Sequence, residues 1–453
     1  MNDNTKILSE FSARLTYEDL TPRTIENTRL FFIDYIAAAC AGYKVNTVFN
    51  RAVEELVFRS GGTLKESSVL FCEEKTTCEK AAFLNACYAH GADMDDGNRK
   101  AMGHVGVHVF SAVLALAEKL KASERDVIVA INVGYEVYCR IAAAVQPNLV
   151  HRGFHSTGTA GTVACAAAAA KLLHMDADGI YNAMAISVTL SSGLVIVGDS
   201  GQSIKPLNPA KAAENGIIAA MLTQKGVKGP VYPLDSQHGW FHAMSDSVDE
   251  SMITDGLGEK FCIDECYAKP YPACRHTHCG IQAALELREE NAITPDMVES
   301  VKIHIYSNAI RLAGQIKKPK SIDDSKFSIH YATACILAAG KFALEDLDYT
   351  KAPQAVWDII DRTELIADET MENRDKGIRG CMVEICLADK KKVSKTVLIP
   401  KGDPQNPFTI SDVCEKLAQC ASGLISDDRR DKLIAFLKGF GRENVSFEGI
   451  CEK

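Results

Sequence analysis

One helical pattern follows another through the first half of this chain, and that repetition restricts the fold more than any single motif. Thr21 followed by Pro22 supplies an N-cap with proline at the first helical position, where a missing N–H costs nothing. The run from there to Ala39 keeps an apolar stripe through Ile25, Leu30, Phe32 and Ile36, and Gly42 is placed to end it. Further helices are expected over residues 79–89, 105–120, 124–144, 158–173, 180–192 and 209–225. Alanine fills residues 166–170 and recurs at Ala212, Ala213, Ala219 and Ala220, and such small side chains let helix backbones approach closely in a buried bundle.

After about Cys266 the texture changes. Residues 300–306 alternate as a strand does, and 381–387 with 393–399 flank a lysine-rich turn as a hairpin would; helices are expected between them at 329–344 and 353–361. The helical texture returns at 409–421 and 427–438, in a tail of about 50 residues that is small for an independent domain. The expected fold is therefore mostly α with an α+β second domain. Residues 1–265 and 403–453 build one large all-helical domain from both chain ends, and 266–402 form a smaller insertion. At 453 residues, 47% apolar and 24% charged, the chain has enough material for both.

Charge and composition exclude several function classes. The net charge of −9, with no basic tail, lacks the electrostatic footprint of nucleic-acid binding. The longest apolar tracts are broken short of the roughly 20 residues that span a bilayer, so no membrane partner is expected. No apolar stretch of signal-peptide type follows Met1, and the 16 cysteines are scattered through helices as reduced core residues would be, so the expected location is cytoplasmic.

Four polar constellations carry the chemistry. Between Lys269 and His278 fall Arg275, His276 and a pair of prolines, which place basic groups on a stiff arm ahead of a helix and suit a carboxylate ligand. Lys205, ahead of Pro206 and Pro209, repeats the device, so the two lysines are expected to clamp two carboxylates of one substrate. His90, Asp93, Asp95 and Asp96 lead to His104; three carboxylates invite a metal reading, but a carboxylate orienting a histidine base fits equally without an ion. His155, just ahead of a helix start capped by Ser156 or Thr157, reads as a poised acid or base. Tyr331 is a candidate proton donor, and a packed aromatic on the bland reading. The spacing of Cys274, His276, His278 and Cys279 is wrong for zinc, so no metal is expected.

These segments, in this order and spacing, resemble the MmgE/PrpD family: His90 to Asp96 with His104, residues 153–159, Lys205-Pro206-Leu207, and Lys269-Pro270-Tyr271-Pro272 with His278. The resemblance covers nearly the whole chain. It implies a cofactor-free homodimeric enzyme in which the α+β insertion is a lid, acting on di- or tricarboxylates. The family's activities include 2-methylcitrate dehydratase, cis-aconitate decarboxylase and iminodisuccinate epimerase. It places Asp93, His104, His155 and Tyr331 at catalytic positions, with Lys205 and Lys269 at functional ones; Arg275 joins the lysines as a substrate-binding candidate. Gly97 departs from the decarboxylase, which has a threonine there, and the stretch to His104 is one residue longer. A hydro-lyase of the 2-methylcitrate dehydratase type is the leading expectation, with a dicarboxylate epimerase and a non-catalytic carboxylate-binding protein as alternatives.

Overall fold

The computed structural model describes residues 3–59, 64–198, 203–373 and 376–447. Helices Pro22–Val45, Cys78–His90, Gly106–Leu120, Glu124–Ala144, Ser156–Leu172 and Leu207–Gln224 form the body of the first half. Ser156–Leu172 runs between Leu207–Gln224, Glu124–Ala144 and Gly106–Leu120, and its small residues are almost all buried. Glu124–Ala144 is long and apolar enough to cross a bilayer, contrary to the expectation from sequence, but 94% of its apolar window is buried inside the protein.

Two hydrophobic cores divide the chain. One gathers residues from Leu8 to Ala268 and then Phe408 to Phe447; the other gathers residues from Ala273 to Val397. The late helices Ile410–Ala421 and Asp427–Gly439 pack against Pro22–Val45, and the Phe440 ring meets Phe32 edge-on at 5.1 Å. Thr409 starts the first of them through a reciprocal capping box with Asp412.

The second core surrounds a four-stranded sheet in the order Lys392–Val397, Cys381–Leu387, Val298–Ile305, Thr363–Ala367. The first three are antiparallel neighbours, as the hairpin and alternation predict, and Val301, Ile303 and Ile305 face the core. The strand Thr363–Ala367 lies parallel to Val298–Ile305 and is absent from the sequence reading. It is five residues long on a sheet edge with only Thr363 buried, so its apolar pattern is too brief to register. Helices His278–Glu290, Ile329–Ala339 and Gln354–Asp361 complete this part.

Gly42 does not end its helix, which continues to Val45. Its role is close approach: a Cβ there would lie 1.9 Å from the Tyr88 carbonyl oxygen and 2.9 Å from the Gly91 Cα. The missing side chain lets Pro22–Val45 press against the end of Cys78–His90, and so sets the level of the polar loop that follows. Gly42→Ala is expected to destabilise the protein by about 1–3 kcal/mol through overpacking, seen as a lower thermal midpoint; an unchanged midpoint would refute this account of the crossing.

Candidate active site

The loop joining Cys78–His90 to Gly106–Leu120 carries a dense set of buried polar groups. Asp93 sits in the left-handed backbone region with φ of 54°, a conformation aspartate tolerates better than most residues. The next carboxylates hold the loop in place. Asp96 accepts from the Tyr135 hydroxyl at 2.7 Å and from the Gly106 N–H at 2.7 Å at the helix start, and burial pushes its carboxyl up to about 7. Asp95 accepts from His90 Nδ1 at 2.8 Å and lies 3.1 Å from His104 Nδ1.

These contacts assign the histidines. His104 Nδ1 faces the Asp95 carboxylate and, at 3.0 Å, the Asp96 carbonyl oxygen; both can only accept, so Nδ1 carries the proton and Nε2 presents a lone pair. His155 is the opposite case. The Asn208 side-chain amide nitrogen lies 2.9 Å from His155 Nδ1 and 3.2 Å from the Leu194 carbonyl, so it donates to both, Nδ1 accepts, and the neutral ring carries its proton on Nε2. Burial, then Lys205, His90 and His104, hold His155 well below the usual histidine range, and it stays neutral. Asp95 orients the His104 ring through Nδ1, and Asp93 Oδ1 lies 3.8 Å from its Nε2.

The two lysines are brought together as the sequence suggests, but both grip the protein's own carboxylate. Lys205 Nζ bonds Asp93 Oδ1, while Lys269 Nζ bonds Asp93 Oδ2 at 2.8 Å and the Asp93 carbonyl at 2.7 Å. Burial raises the Asp93 carboxyl, but Lys205 and Lys269 outweigh it, and the group is held well below the ordinary carboxylate range. The expected two-lysine clamp on two substrate carboxylates is thus corrected. Lys269 is 1% exposed and committed to Asp93, whereas Lys205, at 17%, still reaches the cavity.

That cavity, about 500 Å³, is lined by Asp93, His104, His155, Lys205 and Lys269. Arg275, Arg311 and Arg379, from the second half of the chain, line it as well. Arg275 Nη2 is held by Asp403 at 3.2 Å, and its buried Nη1 has no partner among the described residues. His276 also lines this cavity; burial, then Arg379, Lys269, Arg275 and Arg311, drive it down to about 3. A space with this excess of cations suits a ligand with several negative charges. A cavity of about 510 Å³ beside it shares Asn98, Met102 and Arg379.

Tyr331 is not part of this arrangement. Its ring packs near Phe342 and Trp357 in the second core, its hydroxyl donates to the Asp346 carbonyl at 2.7 Å, and it borders a separate small cavity. His278 points away as well, 3.1 Å from the Ala273 carbonyl. The ligand atoms of His90, Asp93, Asp95 and His104 lie within 4.8 Å of one another, close enough for a metal ion. The two ammonium groups already on Asp93 oppose a divalent cation at those oxygens. The sequence reading misses Asn208, Tyr267, Arg311 and Arg379; only Asn208 stands within a segment it singles out.

The MmgE/PrpD N-terminal domain matches residues 6–252, and the MmgE/PrpD C-terminal domain matches 271–438. The chain belongs to the MmgE/PrpD family. Among curated relatives, the human cis-aconitate decarboxylase is 27% identical over 440 residues, covering 92% of this chain and 88% of the relative. The Aspergillus terreus cis-aconitate decarboxylase is 24% identical over 454 residues, covering 94% and 91%. The cis-aconitate decarboxylase-like protein oryM of Aspergillus oryzae is 26% identical over 382 residues, 78% of each chain. Both halves of the chain contribute to the cavity, and the relatives point to a lyase-type enzyme.

Asp93→Asn is expected to leave Lys269 buried without a counter-charge, at a cost of about 3–5 kcal/mol. The native Asp93 carboxyl is depressed, so its contribution to stability is present above the unfolded carboxyl value and is lost as pH falls through the folded one. Denaturant titrations across the acid range should show a flatter pH dependence in the variant. Equal stability and equal slope in both proteins would remove Asp93 from its central place.

Proposed function

We propose that this MmgE/PrpD protein is a lyase that abstracts a proton from a carbon next to a carboxylate of a di- or tricarboxylate, most simply as a hydro-lyase of the 2-methylcitrate dehydratase type. The observation that carries the reading is the pair of opposed histidine tautomers facing one cation-lined cavity. The His104 Nε2 lone pair takes the carbon-bound proton, and the resulting imidazolium stays beside Asp95. Charge then collects on the neighbouring substrate carboxylate, where the His155 Nε2–H and Lys205 are available to meet it. The arginines hold the remaining carboxylates.

Decarboxylation of an unsaturated tricarboxylate is the second reading, favoured by the named activities of the relatives. The residues support it less directly: where the decarboxylase resemblance calls for a threonine, this chain has Gly97. The implied homodimer belongs to the same proposal, and light scattering tests it against the 49.2 kDa chain.

The reaction is read by incubating the protein with 2-methylcitrate, citrate and cis-aconitate in heavy water, following deuterium uptake, double-bond formation and CO2 release. A hydro-lyase forms or hydrates a double bond without CO2. His104→Gln is expected to lower deuterium uptake by about 10²- to 10⁴-fold, the usual contribution of a general base; uptake equal to wild type would take His104 out of the mechanism. Exhaustive chelation is expected to leave turnover intact, and loss of turnover restored by zinc would reopen the His90, Asp93, Asp95, His104 cluster as a metal site.

A further inference from the structure

The strand pair Gly97–Asn98 and Cys266–Tyr267 lies where the chain passes from the helical half to the second core, and it places Gly97 directly opposite Tyr267. The tyrosine folds back over its partner. A Cβ on Gly97 would lie 2.5 Å from the Tyr267 hydroxyl oxygen and 2.6 Å from Cζ, so the hydroxyl occupies the space that a side chain at position 97 would fill. Tyr267 is 6% exposed and lines the same cavity as Asp93, His104 and His155.

Three observations separate this phenol from a packing residue. Its hydroxyl, although nearly buried, has no hydrogen-bond partner among the described residues, whereas Tyr135, Tyr138 and Tyr331 each spend theirs on a protein oxygen. A buried tyrosine hydroxyl normally finds a partner, so a free one at a cavity wall is available to a ligand. The Arg275 guanidinium stacks 4.6 Å from the ring centroid, which holds the ring and places a cation against its face where both line the cavity. Burial raises the phenol above its ordinary value, more than Arg275 and Arg379 lower it, so the hydroxyl keeps its proton and can only help by donating.

We propose that Tyr267 is a catalytic hydrogen-bond donor, its hydroxyl directed at the substrate oxygen that gains negative charge when His104 removes the proton, and that Gly97 is glycine because that hydroxyl needs its side-chain volume. This rests on the proton-abstraction reading above. No proton leaves Tyr267 in this role. It gives the cavity the phenol that the sequence assigned to Tyr331, from a strand with no motif of its own.

Four proteins test it: wild type, Tyr267→Phe, Tyr267→Ala, and Tyr267→Ala combined with Gly97→Ser. Tricarballylate, which cannot undergo elimination of water, serves as binding probe by calorimetry, and solvent deuterium uptake with the turnover assay reports chemistry. Tyr267→Phe is expected to keep the fold and to lower kcat by about 10²-fold, as for loss of one donor to a developing oxyanion, with tricarballylate affinity changed less than about threefold. The hydroxyl introduced by Gly97→Ser stands one bond beyond Cβ, in the volume vacated in Tyr267→Ala. The double variant should therefore recover at least about tenfold of the kcat lost in Tyr267→Ala, which a packing role would not produce.

A Tyr267→Phe protein with wild-type kcat overturns the proposal while leaving the proton-abstraction reading intact. Failure of Gly97→Ser to restore activity in a folded double variant overturns the claim that a hydroxyl in this volume is what matters. A wild-type protein that neither binds tricarballylate nor exchanges deuterium with any polycarboxylate sinks the functional reading and this proposal with it.

Discussion

Three backbone carbonyls within four residues of one loop are each bonded to a buried lysine, and each lysine comes from a different part of the chain. Lys326, from the second half, donates to Gly91 at 3.1 Å; Lys269, at the junction, donates to Asp93 at 2.7 Å; Lys416, from the returning C-terminal helices, donates to Met94 at 2.7 Å. A loop that buries this much polar backbone needs internal partners, since water is not there to supply them. Ammonium groups supply them with charge assistance, and their charges are in turn met by Asp93, Asp34 and Asp323. The left-handed turn at Asp93 is held by this arrangement, and with it the loop whose Asp95 contacts His90 and His104.

The same loop explains how cationic groups divide their labour. Lys269 serves the protein: 1% exposed, it fixes Asp93 and keeps it ionised. Arg275, Arg311 and Arg379 line the cavity, and the buried Nη1 of Arg275 has no partner among the described residues. Asp403 bridges Arg275 to Arg99, at 3.2 and 3.0 Å, so a cavity-lining arginine of the second half is anchored to the helical half through one carboxylate. The cavity is therefore walled by two cores but stiffened by ion pairs that cross between them.

What the sequence showed and what it hid follow from how far apart the cooperating residues lie. His90, Asp93, Asp95 and His104 were legible because they share one loop, and Lys205 and Lys269 because prolines set each ahead of a helix or turn. Their pairing was not legible, since whether two lysines meet a ligand or a protein carboxylate depends on folding that spacing does not encode. Arg311, Arg379 and Tyr267 carried no local pattern. Tyr331 misled because a tyrosine on an apolar helix has the same appearance whether its hydroxyl faces a cavity or, as here, a carbonyl in the core. The change of texture after Cys266 and the late helices were readable from periodicity; the parallel edge strand Thr363–Ala367 was too short to be.

The late arrival of Lys416 bears on synthesis. Asp34 lies in the helix Pro22–Val45, yet its partner is 382 residues downstream, bonded at 2.6 Å. Until the C-terminal helices emerge, the helical half has an uncovered face along Pro22–Val45 and a carboxylate whose burial has no ammonium to balance it. The bundle cannot close in its final form until those helices are made. The intervening sheet gathers its buried core from residues 273–397 and takes none of it from those late helices.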